Sequence, residues 1–278
     1  MNQQPLFEQL DKAEERLLNR WDRWLDQAYK SIAWDELERL KRSGGPNALN
    51  RIPALVNTNP GALARILSDH AAEMIGAGQA HAQILVDDLH QRLKGRRLAD
   101  YAGFDFEYGD DPRVIPEKAV RAMELRSIRL AGDVDGDLLA GVKKIMIRFL
   151  TGDTRRETER ALEELLDHNR DRASLITTTE TTYSYNRGRL AGFAENQVDY
   201  VRFSAVMDRR TSPICRSRHG LIMKMDDPRV ADNTPPLHGR CRSVLDPLYS
   251  AYQPELIIER NLDWSNVAPL PPGWKAAA

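Results

Sequence analysis

The residues best suited to chemistry are two cysteines and two histidines in the last third of the chain. Three residues separate Cys215 from His219, and two separate His238 from Cys241. Thiolates and imidazoles on two such short segments are typical ligands of a tetrahedral zinc ion. A small unit with few aromatic residues would gain stability from a metal that joins the two segments. Cys215, His219, His238 and Cys241 are therefore a candidate structural zinc site.

The same residues allow other interpretations. Cys215 and Cys241 can be ordinary buried thiols, with the histidines hydrogen-bonded to backbone groups in turns. A nucleophilic Cys–His pair would need a base beside the thiol and an orienting carboxylate such as Asp208. A nuclease of the HNH class would use His238 as a base beside a metal-bound phosphate. The sequence shows no second histidine or asparagine at the spacing that such a nuclease needs.

Positive charge is concentrated around these turns. Residues 201–250 contain nine arginine and lysine residues against five aspartates, whereas the whole chain has a net charge of −1. The arginines that flank the turns are Arg209, Arg210, Arg216, Arg218, Arg240 and Arg242. Such a cluster can bind DNA phosphates or the carboxylates of another subunit. The alternative is a solvated face whose arginines pair with Asp208 and Asp246.

Composition excludes several classes of protein. The 278 residues are 41% apolar and 29% charged, which allows a sizeable core and excludes general disorder. Two cysteines are too few for a disulfide scaffold and suit a reducing compartment. No apolar run is long enough to span a bilayer, the N-terminus does not resemble a secretory signal, and the common nucleotide, zinc-protease and hydrolase motifs are missing. We therefore expect a soluble protein with no membrane contact and no small-molecule substrate.

Hydrophobic periodicity predicts helices up to about residue 196 and short strands after it. It indicates one amphipathic helix over the first 42 residues, a second over about 61–94, and later helices over 116–129, around 138–150, from 154 and over 171–196. Gly132 and Gly136 are expected to interrupt this series. Alternating residues predict a strand at 200–206, a second at 221–225 and a third at 242–245.

Several residues of the predicted helices have two possible roles. Trp21 and Trp24 lie on an apolar stripe that either packs on this protein's own core or docks on another subunit. His70 and His81 fall on one face of the second helix, and we interpret them as surface histidines because no third ligand joins them. The Gly-Ala-Gly sequence at 76–78 would allow another helix to approach closely.

An ordered set of motifs in the C-terminal half resembles a known family. The predicted helix contains T-E-T and then Y-N-R-G, and the strand segment YVRFSAVMD follows. Next come D-x-R-T-S-P-x-C, which ends at Cys215, and H-G. The last motif is P-P-L-H-x-x-C-R-S, which ends at Ser243. In this order, the set is similar to the phage Mu F-like minor head proteins, which are also called head morphogenesis proteins. The resemblance runs from about residue 172 to residue 247.

This resemblance implies a non-enzymatic virion component in the head interior or at the portal vertex, assembled in the host cytoplasm. It implies the portal protein and other head proteins as partners, with phage DNA as a further contact. Many relatives have a second cysteine near position 218, where this chain has Arg218 and His219. The alternative function is a zinc-dependent nucleic-acid-binding or nuclease module.

These observations predict an α+β fold that is mostly α, with long N-terminal helices followed by a small C-terminal β unit that holds the Cys/His turns. Residues 1–130 would form a helical, partner-docking region. Residues 131–250 would form the Mu F-like domain, with helices over 131–196 and the β unit over 197–250. Residues 251–278 would be a tail that becomes ordered on a partner.

Overall fold

Long helices precede a small sheet along the chain. The computed structural model describes residues 4–43, 51–93, 117–251, 253–258, 263–272 and 274. The helices before the sheet are α1 (Gln4–Lys30), α2 (Trp34–Ser43), α3 (Pro60–Leu93), α4 (Glu117–Thr151) and α5 (Arg155–Glu195). The remaining elements are β1 (Tyr200–Ser204), α6 (Pro213–Arg218), β2 (Ile222–Lys224), α7 (Arg229–Asn233) and β3 (Val244–Leu248). Single 3₁₀ turns lie at Ile52–Leu55 and Pro254–Leu256.

The predicted fold class is confirmed: the structure is mostly helical and has a small three-stranded antiparallel sheet near the C-terminus. None of the described helices is long and apolar enough to cross a membrane. The chain divides into two compact units, and α3, α4 and α5 each contribute residues to both. The helical unit comprises residues 12–69 and 124–177, and the sheet unit comprises residues 1–11, 70–123 and 178–278.

The helical unit has a continuous apolar core. Its largest buried side chains come from α1, α3 and α4 and include Trp21, Leu25, Leu63 and Leu138. Trp21 and Trp24 are 1% and 2% exposed, and the indole nitrogen Nε1 of Trp24 donates to the carbonyl oxygen of Asn59 at 3.1 Å. Of the two roles predicted for these tryptophans, the structure shows packing on the protein's own core. Docking on another subunit stays a prediction.

The prediction of one helix over the first 42 residues is wrong, because the chain breaks between α1 and α2. The backbone N–H of Ala33 donates to the carbonyl of Leu55 at 2.9 Å. The hydroxyl of Ser31 accepts from the backbone N–H of Asn57 at 2.8 Å. The Ala33 N–H thus bonds to the segment before α3 and not within the helix, so the break depends on contacts that local periodicity does not report.

Gly132 and Gly136 do not interrupt α4, and the helices predicted from 154 and over 171–196 form the single helix α5. A capping box begins α5. The Thr154 backbone N–H donates to Oε2 of Glu157 at 2.7 Å, and the Glu157 N–H donates to Oγ1 of Thr154 at 3.3 Å.

The sheet unit is built around strand β1. The strand order is β2-β1-β3, with Val201 opposite Met223 on one side and Phe203 opposite Leu245 on the other. Alternate residues of β1, Val201 and Phe203, are fully buried, as period-two burial requires. They pack in a core with Phe193 of α5 and with Cys215 and Cys241, so the cysteines belong to the hydrophobic interior of this unit.

Part of the segment predicted as a tail packs on the sheet unit. Trp264 and Leu270 pack against its core, and the guanidinium of Arg229 lies 5.5 Å from the centre of the Trp264 ring. The Ala268 backbone N–H donates to the hydroxyl of Ser217 at 3.0 Å. This segment therefore finds its contacts within the chain.

Within the sheet unit, α3 and α5 cross at very short distance. A Cβ atom on Gly78 would collide with the carbonyl oxygen of Tyr185, and one on Gly188 would collide with the carbonyl oxygen of Ile75. A Cβ atom on Gly192 would lie 2.7 Å from Cβ of Ala82. The close approach predicted for the Gly-Ala-Gly sequence is therefore present, and glycines on both helices make it possible.

We expect Gly188→Ala to lower the free energy of unfolding by more than about 2 kcal/mol, because the added methyl group must push two backbones apart. Gly132→Ala is the matched control, since it also lies in a helix but has nothing within 4 Å of an added Cβ. This control should raise the free energy of unfolding by about 0.5–1 kcal/mol through helix propensity. Urea unfolding followed by circular dichroism measures both, and equal effects would contradict the packing argument.

Candidate functional site

Polar side chains on the buried face of α5 hold the backbone around Cys241. The hydroxyl of Thr182 donates to the carbonyl oxygen of Cys241 at 2.8 Å. The amide nitrogen of Asn186 donates to the carbonyl oxygen of Ser243 at 3.3 Å. Buried backbone carbonyls need such partners, because leaving one unpaired costs about 1–3 kcal/mol. These two bonds therefore fix the backbone on either side of Arg242 and, with it, the position of the Cys241 thiol.

The other cysteine is placed by the start of α6. The Ser212 hydroxyl is the N-cap of this helix and accepts a hydrogen bond from the Cys215 backbone N–H at 3.2 Å. Pro213 occupies the first turn, where its missing N–H costs nothing. The S-P-x-C motif thus begins α6 and directs the Cys215 side chain into the interior of the sheet unit.

Three of the four predicted metal ligands meet in space. The Sγ atom of Cys215 lies 3.1 Å from Nε2 of His238 and 3.6 Å from Sγ of Cys241. All three donor atoms lie within 4.8 Å of one another. The cysteines are 3% and 0% exposed, whereas His238 is partly exposed. The two predicted turns therefore form one cluster, which we call the Cys–His cluster.

His219 lies outside the Cys–His cluster. Its ring nitrogen Nδ1 accepts a hydrogen bond from the backbone N–H of Ala205 at 3.1 Å, and the residue is exposed. An oxygen close to the cluster is the Ser212 hydroxyl, whose Oγ lies 2.8 Å from Nε2 of His238. The three candidate ligands are thus Cys215, His238 and Cys241, and the Ser212 hydroxyl lies beside them.

Charge within the cluster favours a thiolate at Cys215. The hydrogen bond with the Cys241 thiol is the largest cause that lowers the pKa of Cys215 to about 4, and bonds with His238 and Ser243 add to it. The bond to Cys215 raises the pKa of His238, and the same thiolate together with burial raises the pKa of Cys241 well above its usual value. The cluster therefore favours a thiolate at Cys215 and a protonated thiol at Cys241, and it stabilises the charged form of His238.

The chemistry of this donor set fits a zinc ion. Tetrahedral zinc with two thiolates places their sulfur atoms about 3.8 Å apart, close to the 3.6 Å seen between Cys215 and Cys241. A histidine that binds zinc usually donates its other ring nitrogen to a carbonyl or carboxylate. Here Nδ1 of His238 donates to the Gly239 carbonyl at 2.8 Å, which leaves Nε2 directed at the thiols.

The geometry does not favour the two catalytic interpretations. Asp208 does not orient His238, because Arg242 binds both of its carboxylate oxygens, at 2.9 and 2.7 Å. The side-chain hydrogen bond from Arg242 also lowers the pKa of Asp208. His238 directs Nε2 at Ser212 and Cys215 inside the unit, whereas a nuclease base must reach a phosphate in solvent.

The six predicted arginines divide into two groups. Arg218 is buried, where its guanidinium donates to Asn233, Ile214 and Ala268 at 2.7–3.0 Å, and Arg242 is paired with Asp208. The exposed arginines are Arg209, Arg210, Arg216 and Arg240.

Two of the exposed arginines meet at Asp208. Arg216 donates to the Asp208 carbonyl at 3.2 Å, and Nε of Arg210 lies 3.9 Å from its carboxylate. With Arg242, three guanidinium groups therefore surround one aspartate. This leaves an excess of positive charge at the surface near the Cys–His cluster.

Sequence reasoning missed a buried polar network on α5. Arg189 is 1% exposed and lies 3.3 Å from the carboxylate of Asp246 on β3 and 3.3 Å from the Tyr185 hydroxyl. The same hydroxyl contacts His81, whose pKa falls to about 3 because of burial and the charge of Arg189.

The interpretation of His70 as a surface histidine is wrong, and His81 is partly buried. His70 is 3% exposed and bonds Thr181 at 2.8 Å. A stripe of polar residues at positions 181, 182, 185, 186 and 189 was the available signal. It repeats with the period of a helix and needs polar partners once the helix is buried.

Comparison with known proteins identifies the segment that contains the cluster. Residues 143–246 match the family described as Phage Mu protein F like protein. No curated protein and no solved structure matched the chain. The match confirms the resemblance drawn from the ordered motifs. Residues 143–246, which hold the Cys–His cluster, are therefore similar to the phage Mu F-like head morphogenesis family.

Proposed function

We propose that this chain is a minor head protein that acts in phage head assembly at the portal vertex. The observation that carries the proposal is the family match over residues 143–246, which includes the whole Cys–His cluster. Where the structure describes the cluster, the thiols are buried and the histidine faces inward. This geometry suits a cross-braced scaffold better than a site that must admit substrate. The partners are then the portal protein and other head proteins, and the protein's place is the virion.

Head association is tested with the full chain in infected or induced cells. We expect it to co-purify with procapsids and to be recovered with the portal protein after mild crosslinking. Heads assembled without the protein should be fewer or misassembled. Absence of the protein from both procapsids and DNA-filled heads would contradict the proposal. Presence in heads without any crosslink to the portal would limit it to a head protein located elsewhere.

The Cys–His cluster is proposed to hold a structural zinc ion. Cys215, His238 and Cys241 would supply three ligands, and the fourth position would be open to water or to the nearby Ser212 hydroxyl. The ion would join α6 to the segment before β3, which are 26 residues apart in sequence at the two cysteines. Such a link would stabilise the sheet unit, because the unfolded chain lacks a preformed site for the metal.

We expect purified protein to contain about one zinc ion per chain, and Cys215→Ser, Cys241→Ser and His238→Ala each to reduce this below about 0.2. His219→Ala is the matched control, since His219 lies outside the cluster, and it should retain the metal. Elemental analysis of freshly purified protein makes the measurement. Less than about 0.2 zinc in the unaltered chain, with both thiols open to reagent on unfolding, would show that the cysteines are ordinary buried thiols.

Thermodynamic coupling between the two cysteines is an independent test of the same site. Cys215→Ala and Cys241→Ala should lower the free energy of unfolding by similar amounts, and the double variant should cost little more than either single one. Urea unfolding of the three variants measures these differences. Fully additive effects would mean that the two thiols have separate roles.

The exposed arginines are proposed to contact DNA in the head. Arg209, Arg210, Arg216 and Arg240 project from the turns around the cluster, and only one of them, Arg210, pairs even weakly with a carboxylate among the described residues. Guanidinium groups at a surface bind phosphates and release counterions from DNA. The contact would be independent of DNA sequence and sensitive to salt.

A variant with Arg210, Arg216 and Arg240 all changed to alanine should bind DNA more weakly. The slope of log K against log[salt] should become shallower by about 0.9 for each phosphate that the variant no longer neutralises. Arg39→Ala is the control, because that arginine is also exposed but belongs to the helical unit. Fluorescence anisotropy with duplex DNA at several salt concentrations measures both. Equal weakening in the two variants would contradict a specific surface. Metal-dependent DNA cleavage that His238→Ala abolishes would instead support the nuclease alternative.

A further inference from the structure

One face of α4 in the helical unit is apolar and exposed. Leu125 and Ile128 are 65% and 61% exposed, which is high for side chains of their size. Gly132 and Gly136 follow on the same face, and a Cβ atom added at either would meet nothing within 4 Å in the described part of the chain. At 100° per residue, these four positions fall within a third of the helix circumference. We call this surface the α4 face.

The shape of the α4 face is polarised along the helix. Its N-terminal half has the two projecting side chains, Leu125 and Ile128, and its C-terminal half has the two notches at Gly132 and Gly136. A second copy running antiparallel would place Leu125 over Gly136 and Ile128 over Gly132 of the partner, and the same contacts would repeat by two-fold symmetry. A parallel copy would set side chain against side chain and notch against notch.

Charge beside the face is polarised in the same sense. Arg129 lies next to the projecting half and Asp133 next to the notched half, on the same side of the α4 face. The antiparallel arrangement that seats Leu125 on Gly136 also brings Arg129 beside Asp133 of the partner, twice. Both shape and charge are therefore complementary between two antiparallel copies of this chain. We propose that the α4 face is the contact of a two-fold symmetric, antiparallel dimer of this chain.

The size of the contact sets the expected affinity. A single pair of helices crossing over about three turns buries less surface than the roughly 1,200–2,000 Å² of stable complexes. The dimer should therefore form in the micromolar range in free solution and become important where copies are held close together, as in a head. This inference is independent of the proposed zinc site and of the portal contact.

Sedimentation equilibrium of the full chain over roughly 1–200 μM tests the association. We expect the mass to rise from 31.6 kDa toward twice that value. The variant Gly132→Leu/Gly136→Leu should stay monomeric, because the notches are filled. Gly152→Leu is the control, since Gly152 is also exposed with open space around it but lies beyond the end of α4. Circular dichroism verifies that each variant is folded.

Charge exchange tests the pairing across the two-fold axis. Arg129→Asp should weaken the dimer roughly tenfold, because two attractive pairs become repulsive. The double variant Arg129→Asp/Asp133→Arg should restore association, since the exchanged charges again oppose each other. Residues 129 and 133 are also i,i+4 neighbours on α4, so circular dichroism must show equal helix content and stability in the single and double variants before rescue is assigned to contact between copies.

Crosslinking tests the orientation. The chain with Leu125→Cys/Gly136→Cys should form a disulfide-linked dimer on mild oxidation, whereas Leu125→Cys alone should not. The two positions are about 16 Å apart along one helix, so they cannot link within a chain. A strictly monomeric chain, equal effects of the Gly132/Gly136 and Gly152 variants, or efficient crosslinking of Leu125→Cys alone would each overturn the proposal.

Discussion

Burial of a polar stripe on α5 is the constraint on which the functional end of the molecule depends. The polar side chains that a helix carries into the interior of the sheet unit need hydrogen-bond partners there. Thr182 and Asn186 do so by binding the backbone at Cys241 and Ser243, and Arg189 does so through Asp246 of β3. The helix therefore determines where the third strand and the second cysteine lie.

Close packing makes that arrangement possible. Gly78 and Gly188 let α3 and α5 approach until a methyl group would no longer fit between them. The same approach removes water from His81 and Tyr185, which lowers the pKa of His81 to about 3 and keeps the imidazole neutral beside Arg189. Packing density and electrostatics are thus linked, because a looser crossing would admit water and change the charge of the network.

The Cys–His cluster gains its character from the same interior. The two sulfur atoms lie 3.6 Å apart, and the charge of Cys215 together with the burial of Cys241 makes it unfavourable for both cysteines to ionise together. A divalent cation would resolve this competition, since it stabilises both thiolates at once. With a bound metal, a cluster of this kind would stabilise a small unit without a disulfide.

The sequence was enough to predict the helical character of the chain, the short strands after residue 196, a helix from residue 154 and the similarity of the C-terminal half to a known family. Each of these depends on local spacing or on an ordered motif, which do not require knowledge of distant contacts. It also identified Cys215, His238 and Cys241 as members of one candidate set, because ligand type and spacing are visible in a linear chain.

The sequence did not predict the break between α1 and α2 or the continuity of α4 through Gly132 and Gly136. It also did not predict which arginines are buried, nor the places of His219 and His81. The break, the burial of the arginines and the places of the two histidines depend on partners distant in sequence, such as Ala205 for His219 and Tyr185 for His81. The free energy of burying a polar group is set by those distant partners, and periodicity along the chain does not report them.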